Sequence, residues 1–137
     1  MKLDYSTEQD IPQLTEWIQN DPYHKDYLDP EWWLTGNGLL SYVIQDSNGP
    51  TMYVRVDSEN ELLRIHTQFA PESEVSKLRV IKSIVWALPI MEKVAKDNQL
   101  VGLIYKSTNP SLISFMQIKF SFVPCGDDDY RQTFEVE

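Results

Sequence analysis

A histidine in an apolar stretch is the side chain in this sequence best suited to move a proton at neutral pH. His66 lies between Ile65 and Thr67, and the pattern around it predicts a β-strand in which His66 faces the opposite way from both neighbours. The ordinary pKa of an imidazole is near 6.5, so one interpretation of His66 is a general base. The other is a packed structural residue, and the sequence leaves both open.

The second histidine, His24, lies in a stretch rich in carboxylates. Three aspartates lie close to it in the sequence: Asp21, Asp26 and Asp29. Such a group could suggest a metal site, but acidic loop residues beside a histidine are usually solvated, so we predict no metal here. The run Asp127–Asp129 lacks the alternating spacing and the final glutamate of a calcium loop, and it predicts a polar turn.

Motifs that define nucleophilic or nucleotide-binding sites do not occur in the sequence. Cys125 is the single cysteine, so neither an internal disulfide nor a cysteine zinc site is possible. It has no histidine near it in the sequence, which argues against a nucleophilic role. There is no Gly-x-Ser-x-Gly, Walker loop, dinucleotide fingerprint or His-Glu-x-x-His. No sequence motif therefore identifies a catalytic site, and any such site must be formed by residues that the fold brings together.

The composition is that of an acidic globular protein. The 137 residues include 21 acidic and 12 basic side chains, which give a net charge of −9. Nucleic acids and anionic membranes are disfavoured partners, because binding to either depends on neutralising phosphates with Lys and Arg. No apolar run approaches the roughly 18 residues of a membrane span, and no secretory signal is recognised. We predict a single domain over residues 1–137, located in the cytoplasm.

The first third of the chain predicts a short strand and a helix. Leu3–Tyr5 alternates as a strand does, and the apolar pattern from Ile11 toward Asn20 predicts a helix. Asp10 and Gln13 have the spacing of a capping box at its start. Asp29-Pro30 predicts a further short helix, with the tryptophans that follow turned inward.

Three neighbouring strands follow, separated by short turns. The predicted strands cover Leu39–Gln45, Met52–Val56 and Leu62–Phe69, and the predicted turns are Asp46–Pro50 and Asp57–Asn60. Consecutive strands with short connections form an antiparallel meander.

A long apolar stripe then predicts the main helix of the chain. The stripe begins after Ser73, the predicted cap, and closes at Asp97-Asn98, with Pro89 expected to kink or loosen one turn. The near-continuous apolar run Leu100–Tyr105 predicts a strand covered on both faces. The strands before and after this helix should therefore be parallel, as in a βαβ unit.

A shorter helix and a hairpin complete the chain. Asn109-Pro110 begins the helix, and Phe122–Pro124 and Tyr130–Val136 flank the aspartate-rich turn. The predicted fold class is α+β: a central mixed sheet of six to seven strands, with an antiparallel meander, a βαβ unit and about four helices.

Several motifs, at their intervals in this order of elements, resemble those of the GNAT superfamily of acyl-CoA N-acyltransferases. The entry to the first helix, Glu8–Leu14, is similar to that of the family, and Phe69-Ala70-Pro71 is similar to its Val-x-Pro. Ser107–Pro110 with Phe120–Phe122 resembles the stretch in which an Asn begins the last helix and a Gly-Phe ends it. The resemblance spans nearly the whole chain and implies an acyl-CoA co-substrate, an amine acceptor and no metal.

The resemblance also implies where coenzyme A would bind. In the family, two parallel strands splay apart, pantetheine inserts between them, and a glycine-rich loop after Val-x-Pro binds the pyrophosphate. The corresponding loop here, Pro71–Arg79, contains no glycine and has two glutamates, so its motif is degenerate. The residues that the resemblance assigns to the coenzyme are Gln68, Phe69, Ala70, Ser76, Lys77, Arg79 and Asn109.

This sequence has only some of the residues that act as catalytic acid and base in the family. A family tyrosine that protonates the departing thiolate corresponds to Gln117, which cannot act as an acid, so Tyr105 is the nearest alternative. The family base is commonly a Glu on the central strands, and His66 lies on the equivalent strand; Glu61 is a weaker candidate. The resemblance thus implies an N-acyltransferase. The alternative is a catalytically inactive module of this fold, similar to the small phage-encoded members, that acts through a protein partner.

Overall fold

The sheet that the alternating segments predict has seven strands in the computed structural model, which describes residues 1–27, 29–35 and 40–134. The strands are β1 (Lys2–Tyr5), β2 (Leu40–Asp46), β3 (Gly49–Glu59), β4 (Leu62–Phe69), β5 (Gly102–Lys106), β6 (Val123–Gly126) and β7 (Asp129–Thr133). Their order across the sheet is β1-β2-β3-β4-β5-β7-β6. Only the β4–β5 pair is parallel, as the predicted βαβ unit requires, and the other neighbours are antiparallel.

Three α-helices and three short 3-10 segments connect these strands in the described ranges. The helices are α1 (Ile11–Gln19), α2 (Lys77–Asp97) and α3 (Pro110–Phe120), and the 3-10 segments are Glu8–Asp10, Lys25–Tyr27 and Pro30–Leu34. The short helix predicted at Pro30 is thus a 3-10 segment, and the Asp29 carboxylate caps it by accepting from the Trp32 N–H. The mixed α+β fold is confirmed. Leu39 and the end of the closing hairpin at Val136 lie outside the described residues.

The start of α1 differs from the predicted capping box. The Asp10 side chain makes no capping hydrogen bond to α1. Its carboxylate instead accepts from the Thr7 N–H at 2.8 Å and from the Tyr53 hydroxyl at 2.8 Å. The Tyr53 hydroxyl also lies 2.8 Å from the Gln13 side-chain amide. Asp10 therefore closes a capping box with Thr7, at the start of the preceding 3-10 segment rather than of α1, and it also anchors β3, because a buried phenol needs an acceptor.

The turn between β3 and β4 lies further along the chain than predicted. Asp57 and Ser58 continue β3 and pair with Arg64 and Leu63 of β4. The chain reverses at Asn60 and Glu61, which have φ of 48° and 70°. The prediction of a turn beginning at Asp57 is wrong, because the ladder pairing extends through three more polar residues and ends at Glu59.

The long helix begins at Lys77, and Ser76 rather than the predicted Ser73 is its cap. The Ser76 hydroxyl accepts from the Arg79 N–H at 3.3 Å. Before it, the N–H groups of Glu74 and Val75 donate to the Pro71 carbonyl at 2.9 and 3.0 Å, which makes a separate turn. Val75 is only 5 % exposed and packs in the core beside α1. Burial of Val75 therefore delays the helix by three residues.

Two apolar clusters cover the two faces of the sheet. The larger lies between the sheet and helices α2 and α3 and includes Val54, Leu63, Leu88, Met91 and Leu103. The smaller lies under α1 and includes Leu14, Trp17, Trp33, Tyr53 and Val75. Because side chains alternate along β3 and β4, the face under α1 also carries their polar residues. These polar residues include Arg55, His66 and Gln68.

Candidate functional site

The parallel strands separate after a short paired stretch. β4 and β5 are paired from Leu62–Gly102 to Arg64–Ile104, and no further pair follows, although β4 continues to Phe69 and β5 to Lys106. Gly102 is required within the paired stretch, since a Cβ there would lie 2.2 Å from the Gln132 carbonyl oxygen. The unpaired half of β4 consequently borders an opening in the sheet.

A cavity of about 1110 Å³ occupies this opening. Its walls come from the unpaired half of β4, the end of β5, the loop before α3, and helices α2 and α3. A further wall is formed by the segment after α1 and by the tryptophans of the third 3-10 segment. Representative lining residues are Asp21, His24, Trp32, Thr67, Leu88 and Leu112. The cavity is apolar toward the helices and polar toward the α1 face.

Three of the residues assigned to the coenzyme line this cavity, and the others do not. Gln68 and Phe69 lie on its β4 side, and Asn109 on the opposite side. Asn109 is the cap of α3, and its side chain accepts from the N–H groups of Ser111 and Leu112 at 3.1 and 3.4 Å. The remaining residues lie beyond the cavity: Ala70, Ser76, Lys77 and Arg79.

Two charged residues in and after the loop before α2, Glu74 and Arg79, contact other side chains of the protein. The Arg79 guanidinium forms a bidentate pair with Asp46, at 2.7 and 2.8 Å, and this pair lowers the Asp46 pKa to about 2. The Glu74 carboxylate accepts from the Trp17 indole N–H at 3.0 Å. Lys77, by contrast, is exposed at the start of α2. Of the two cations assigned to the coenzyme, Lys77 is therefore the more accessible.

His66 lies on the cavity wall and is tied to a carboxylate that the sequence did not single out. Its Nε2 lies 3.0 Å from the Asp57 Oδ2 atom. The Trp32 ring meets the imidazole edge to face at 4.8 Å. Burial lowers the His66 pKa, an effect that the Asp57 charge only partly offsets. His66 is thus favoured in its neutral form.

Arg55 joins Asp57 and Trp32 in the same network. Its guanidinium lies 3.3 Å from Asp57 and 4.1 Å from the centre of the Trp32 ring, a cation–π distance. It also donates to the carbonyls of Trp32 and Thr35. The alternating strand pattern identified Arg55 as a strand residue, but no local signal indicated that it faces the tryptophans.

Tyr105 lines the cavity from β5. Its hydroxyl is buried without a hydrogen-bond partner among the described residues, and burial raises the pKa of the phenol. Its ring stacks on Tyr130 at 5.5 Å and meets Phe122 edge to face at 5.0 Å. The phenol therefore stays protonated. Gln117 is exposed on α3 and lies away from the cavity lining.

The second histidine lies on the same cavity, which the sequence did not suggest. The His24 Nδ1 atom lies 2.8 Å from the Gln68 side-chain oxygen and 3.2 Å from the Asp21 carboxylate. The hydrogen bond to Asp21 raises the His24 pKa, against the effect of burial. For Asp21, burial alone would raise the pKa, but hydrogen bonds from His24, the Tyr23 N–H and Gln68 lower it.

Among the described residues, no group of three or more histidine, cysteine or carboxylate side chains is arranged to hold a metal ion. Within the same ranges, no helix is both long and apolar enough to cross a membrane.

No family model matches the chain, and no curated protein matches it. Several solved structures do match the chain. A ribosomal-protein-alanine N-acetyltransferase from Brucella melitensis superimposes with a TM-score of 0.69, covering 98 % of this chain and 100 % of its own, at 13 % identity. The ribosomal-protein-S18-alanine N-acetyltransferase from Escherichia coli gives 0.66, with 99 % and 95 % covered, at 10 % identity.

A third similar structure was solved with a ligand. A GNAT family acetyltransferase from Brucella melitensis, in complex with acetyl-CoA, gives a TM-score of 0.63 at 12 % identity, covering 99 % of this chain and 89 % of its own. Sequence identities this low establish a shared fold but not a shared substrate. The sheet order, the single parallel pair and these superpositions agree: the chain has the fold of the GNAT acetyltransferases.

Proposed function

We propose that this protein is an N-acyltransferase that moves an acyl group from acyl-CoA to an amine. The observation that carries the proposal is the opening between β4 and β5, because an unpaired strand edge can pair with the amide groups of pantetheine as it would with a further strand. Backbone pairing needs no particular side chains, so the proposal does not depend on a glycine-rich loop.

The cavity walls suit the two halves of such a reaction. Toward α2 and α3 the lining is apolar, with residues such as Leu88, Met91 and Met116, as a thioester and an acyl chain require. Toward the α1 face it carries imidazole and carboxylate groups, which suit an ammonium. Asn109 at the start of α3 completes the coenzyme side.

An amine attacks a thioester only after it has lost a proton, and the sulfur needs one when it leaves. His66 is the candidate base predicted from the sequence, and its lowered pKa favours the form that accepts a proton. Tyr105 is the candidate acid, since its raised pKa keeps the hydroxyl protonated and that hydroxyl has no other partner in the part of the chain that the structure describes. Tyr105 as the acid is part of the proposal, and the base is an imidazole on the cavity wall, of which the chain has two, His24 and His66.

The experiment that tests the proposed function measures thiol release from acetyl-CoA with a panel of primary amines and peptides with free amino termini. We expect amine-dependent release and a matching acetylated product by mass spectrometry. Release that does not depend on any amine, or no release with any member of the panel, would contradict the proposal.

The single-domain organisation and the cytoplasmic location remain predictions.

A second candidate function is a non-catalytic binding module, and the loop before α2 favours it. Glu72 and Glu74 stand where a pyrophosphate would approach, and Arg79 is engaged by Asp46. If this candidate is correct, acetyl-CoA will neither stabilise the protein nor be consumed. The two candidates therefore separate on coenzyme binding alone.

A further inference from the structure

Two histidines line the same cavity, and each is held by a carboxylate through a different ring nitrogen. His66 is bound to Asp57 through Nε2, at 3.0 Å. His24 is bound to Asp21 and to Gln68 through Nδ1, at 3.2 and 2.8 Å. Which nitrogen is engaged decides which one can receive a proton.

The Gln68 amide fixes the proton position on His24. Its Nε2 donates to the Asp21 carboxylate at 3.0 Å and to the Phe69 carbonyl at 3.1 Å. The Gln68 Oε1 atom is therefore the acceptor that faces His24. Since Asp21 is also an acceptor, Nδ1 of His24 must carry the hydrogen. The neutral ring then presents a lone pair on Nε2, the nitrogen farther from the main chain.

His66 has the opposite arrangement. Its Nε2 is the nitrogen that donates to Asp57, so its lone pair lies on Nδ1, next to the main chain. The ring is further enclosed by the edge of Trp32 and by Arg55, whose guanidinium lies over the same tryptophan. The His24 side chain is 44 % exposed, against 31 % for His66. A substrate nitrogen therefore reaches His24 with less rearrangement.

Resting on the proposed function, we infer that His24, rather than His66, takes the proton from the acceptor amine, with Asp21 and Gln68 as its positioning residues. The ammonium gives one proton to Nε2 of His24, and the freed lone pair forms the C–N bond to the thioester carbonyl carbon. The C–S bond breaks with its electron pair on sulfur, Tyr105 protonates that sulfur, and the second proton shed by nitrogen restores the Tyr105 hydroxyl. His24 returns its proton to water.

The charged groups around the two rings differ, so the pKa values of His24 and His66 are shifted in opposite directions. His24 faces the Asp21 carboxylate and the neutral Gln68, and Asp29 lines the same cavity. His66 faces Asp57 but also the cations Arg55 and Arg64. The hydrogen bond to Asp21 raises the pKa of His24, while burial lowers that of His66.

The first test determines the tautomer and the pKa of each imidazole directly. The chain contains two histidines, so nitrogen-15 NMR of the full-length protein resolves both rings, and single variants assign them. We expect His24 as the Nδ1–H tautomer with the higher pKa and His66 as the Nε2–H tautomer with the lower one. An Nε2–H tautomer for His24, or the reverse order of pKa values, would overturn the inference without reference to activity.

The second test compares matched variants in acetyl transfer from acetyl-CoA to benzylamine. His24→Asn keeps a donor toward Asp21 and Gln68 but cannot accept a proton, so we expect kcat to fall about 10²- to 10⁴-fold with little change in the KM for acetyl-CoA. Lys93→Gln, on an exposed pair with Asp97, controls for surface charge. Added imidazole should restore activity to His24→Ala, which a purely structural role would not permit.

The outcomes separate the two proposals. A larger loss in His66→Asn than in His24→Asn, or no rescue by imidazole, overturns the assignment of His24 but leaves the transferase proposal standing. Wild-type protein that binds acetyl-CoA and transfers to no amine contradicts the proposed function, and the NMR test still decides the state of His24.

Discussion

At the scale of single residues, the polar side chains on the α1 face of β3 and β4 bind one another. Arg64 donates to both oxygens of Asp129 at 2.9 and 3.1 Å and also to Glu59 at 2.8 Å. Arg55 likewise donates to Asp57 and to the carbonyls of Trp32 and Thr35. The cavity wall is thus fixed before any ligand binds, which lowers the ordering cost of binding.

These contacts mark the limit of what the sequence could predict about the site. His66 could be placed from its strand pattern. Asp57 could not, because Asp57–Asn60 has the composition of a turn while the ladder pairing carries the strand past it. The contact between His24 and Gln68 joins residues 44 positions apart, and no local pattern encodes such a distance.

The first residue-scale prediction concerns acid stability. The Arg79 pair lowers the Asp46 pKa from 3.8 to about 2. The folded state therefore gains stability from this carboxylate above pH 3.8, and loses it as pH falls toward 2. We expect Asp46→Asn to be less stable than the wild type at pH 6, and the difference to shrink between pH 4 and 2. Urea unfolding at several pH values measures this; a constant difference would refute it.

The second residue-scale prediction concerns the end of α3. Ser121, where the family has glycine, has a left-handed φ of 59°. A side chain costs about 1 kcal/mol there and glycine does not, so Ser121→Gly should stabilise the protein by about 0.5–1 kcal/mol. Ser114→Gly, in the middle of the same helix, should instead destabilise it by roughly 0.5 kcal/mol. Thermal unfolding compares the pair, and the same sign for both would contradict the account.

At the scale of elements, order and type were predictable, but several boundaries were not: β3 begins inside the predicted turn Asp46–Pro50 and ends at Glu59, and α2 begins later than predicted. The strands, the parallel β4–β5 pair and the helix starting at Asn109-Pro110 all follow from hydrophobic period and cap chemistry. The start of α2 does not, because Ser73 and Ser76 are equally good caps in sequence. Only burial of Val75 against the α1 cluster, a tertiary contact, selects Ser76.

The element-scale prediction concerns the proline inside α2. Pro89 is exposed within an otherwise continuous helix and cannot donate to its fourth preceding carbonyl. Pro89→Ala restores that hydrogen bond without loss of packing, so we expect a gain of about 1–2 kcal/mol in the free energy of unfolding. Chemical denaturation measures it. An unchanged or lower stability would show that α2 depends on the proline for its packing against the sheet.

At the scale of the whole molecule, the fold of the GNAT acetyltransferases carries a cavity at the opening between β4 and β5. The seven-stranded sheet and its separated parallel pair match structures of N-acetyltransferases over nearly the whole chain. The loop that would meet a pyrophosphate has two glutamates and no glycine in a chain of net charge −9. We therefore propose that affinity for acyl-CoA rests on the strand opening, with Lys77 as the accessible cation.

Thermal unfolding with acetyl-CoA tests this central claim most directly, with ADP at the same concentration as the control for phosphate binding alone. A ligand at 100 times its dissociation constant stabilises by about 2.7 kcal/mol, which raises the unfolding temperature of a domain of this size by several degrees. We predict such a rise with acetyl-CoA and a much smaller one with ADP. Equal shifts, or none at millimolar acetyl-CoA, would show that the opening between β4 and β5 does not bind the coenzyme.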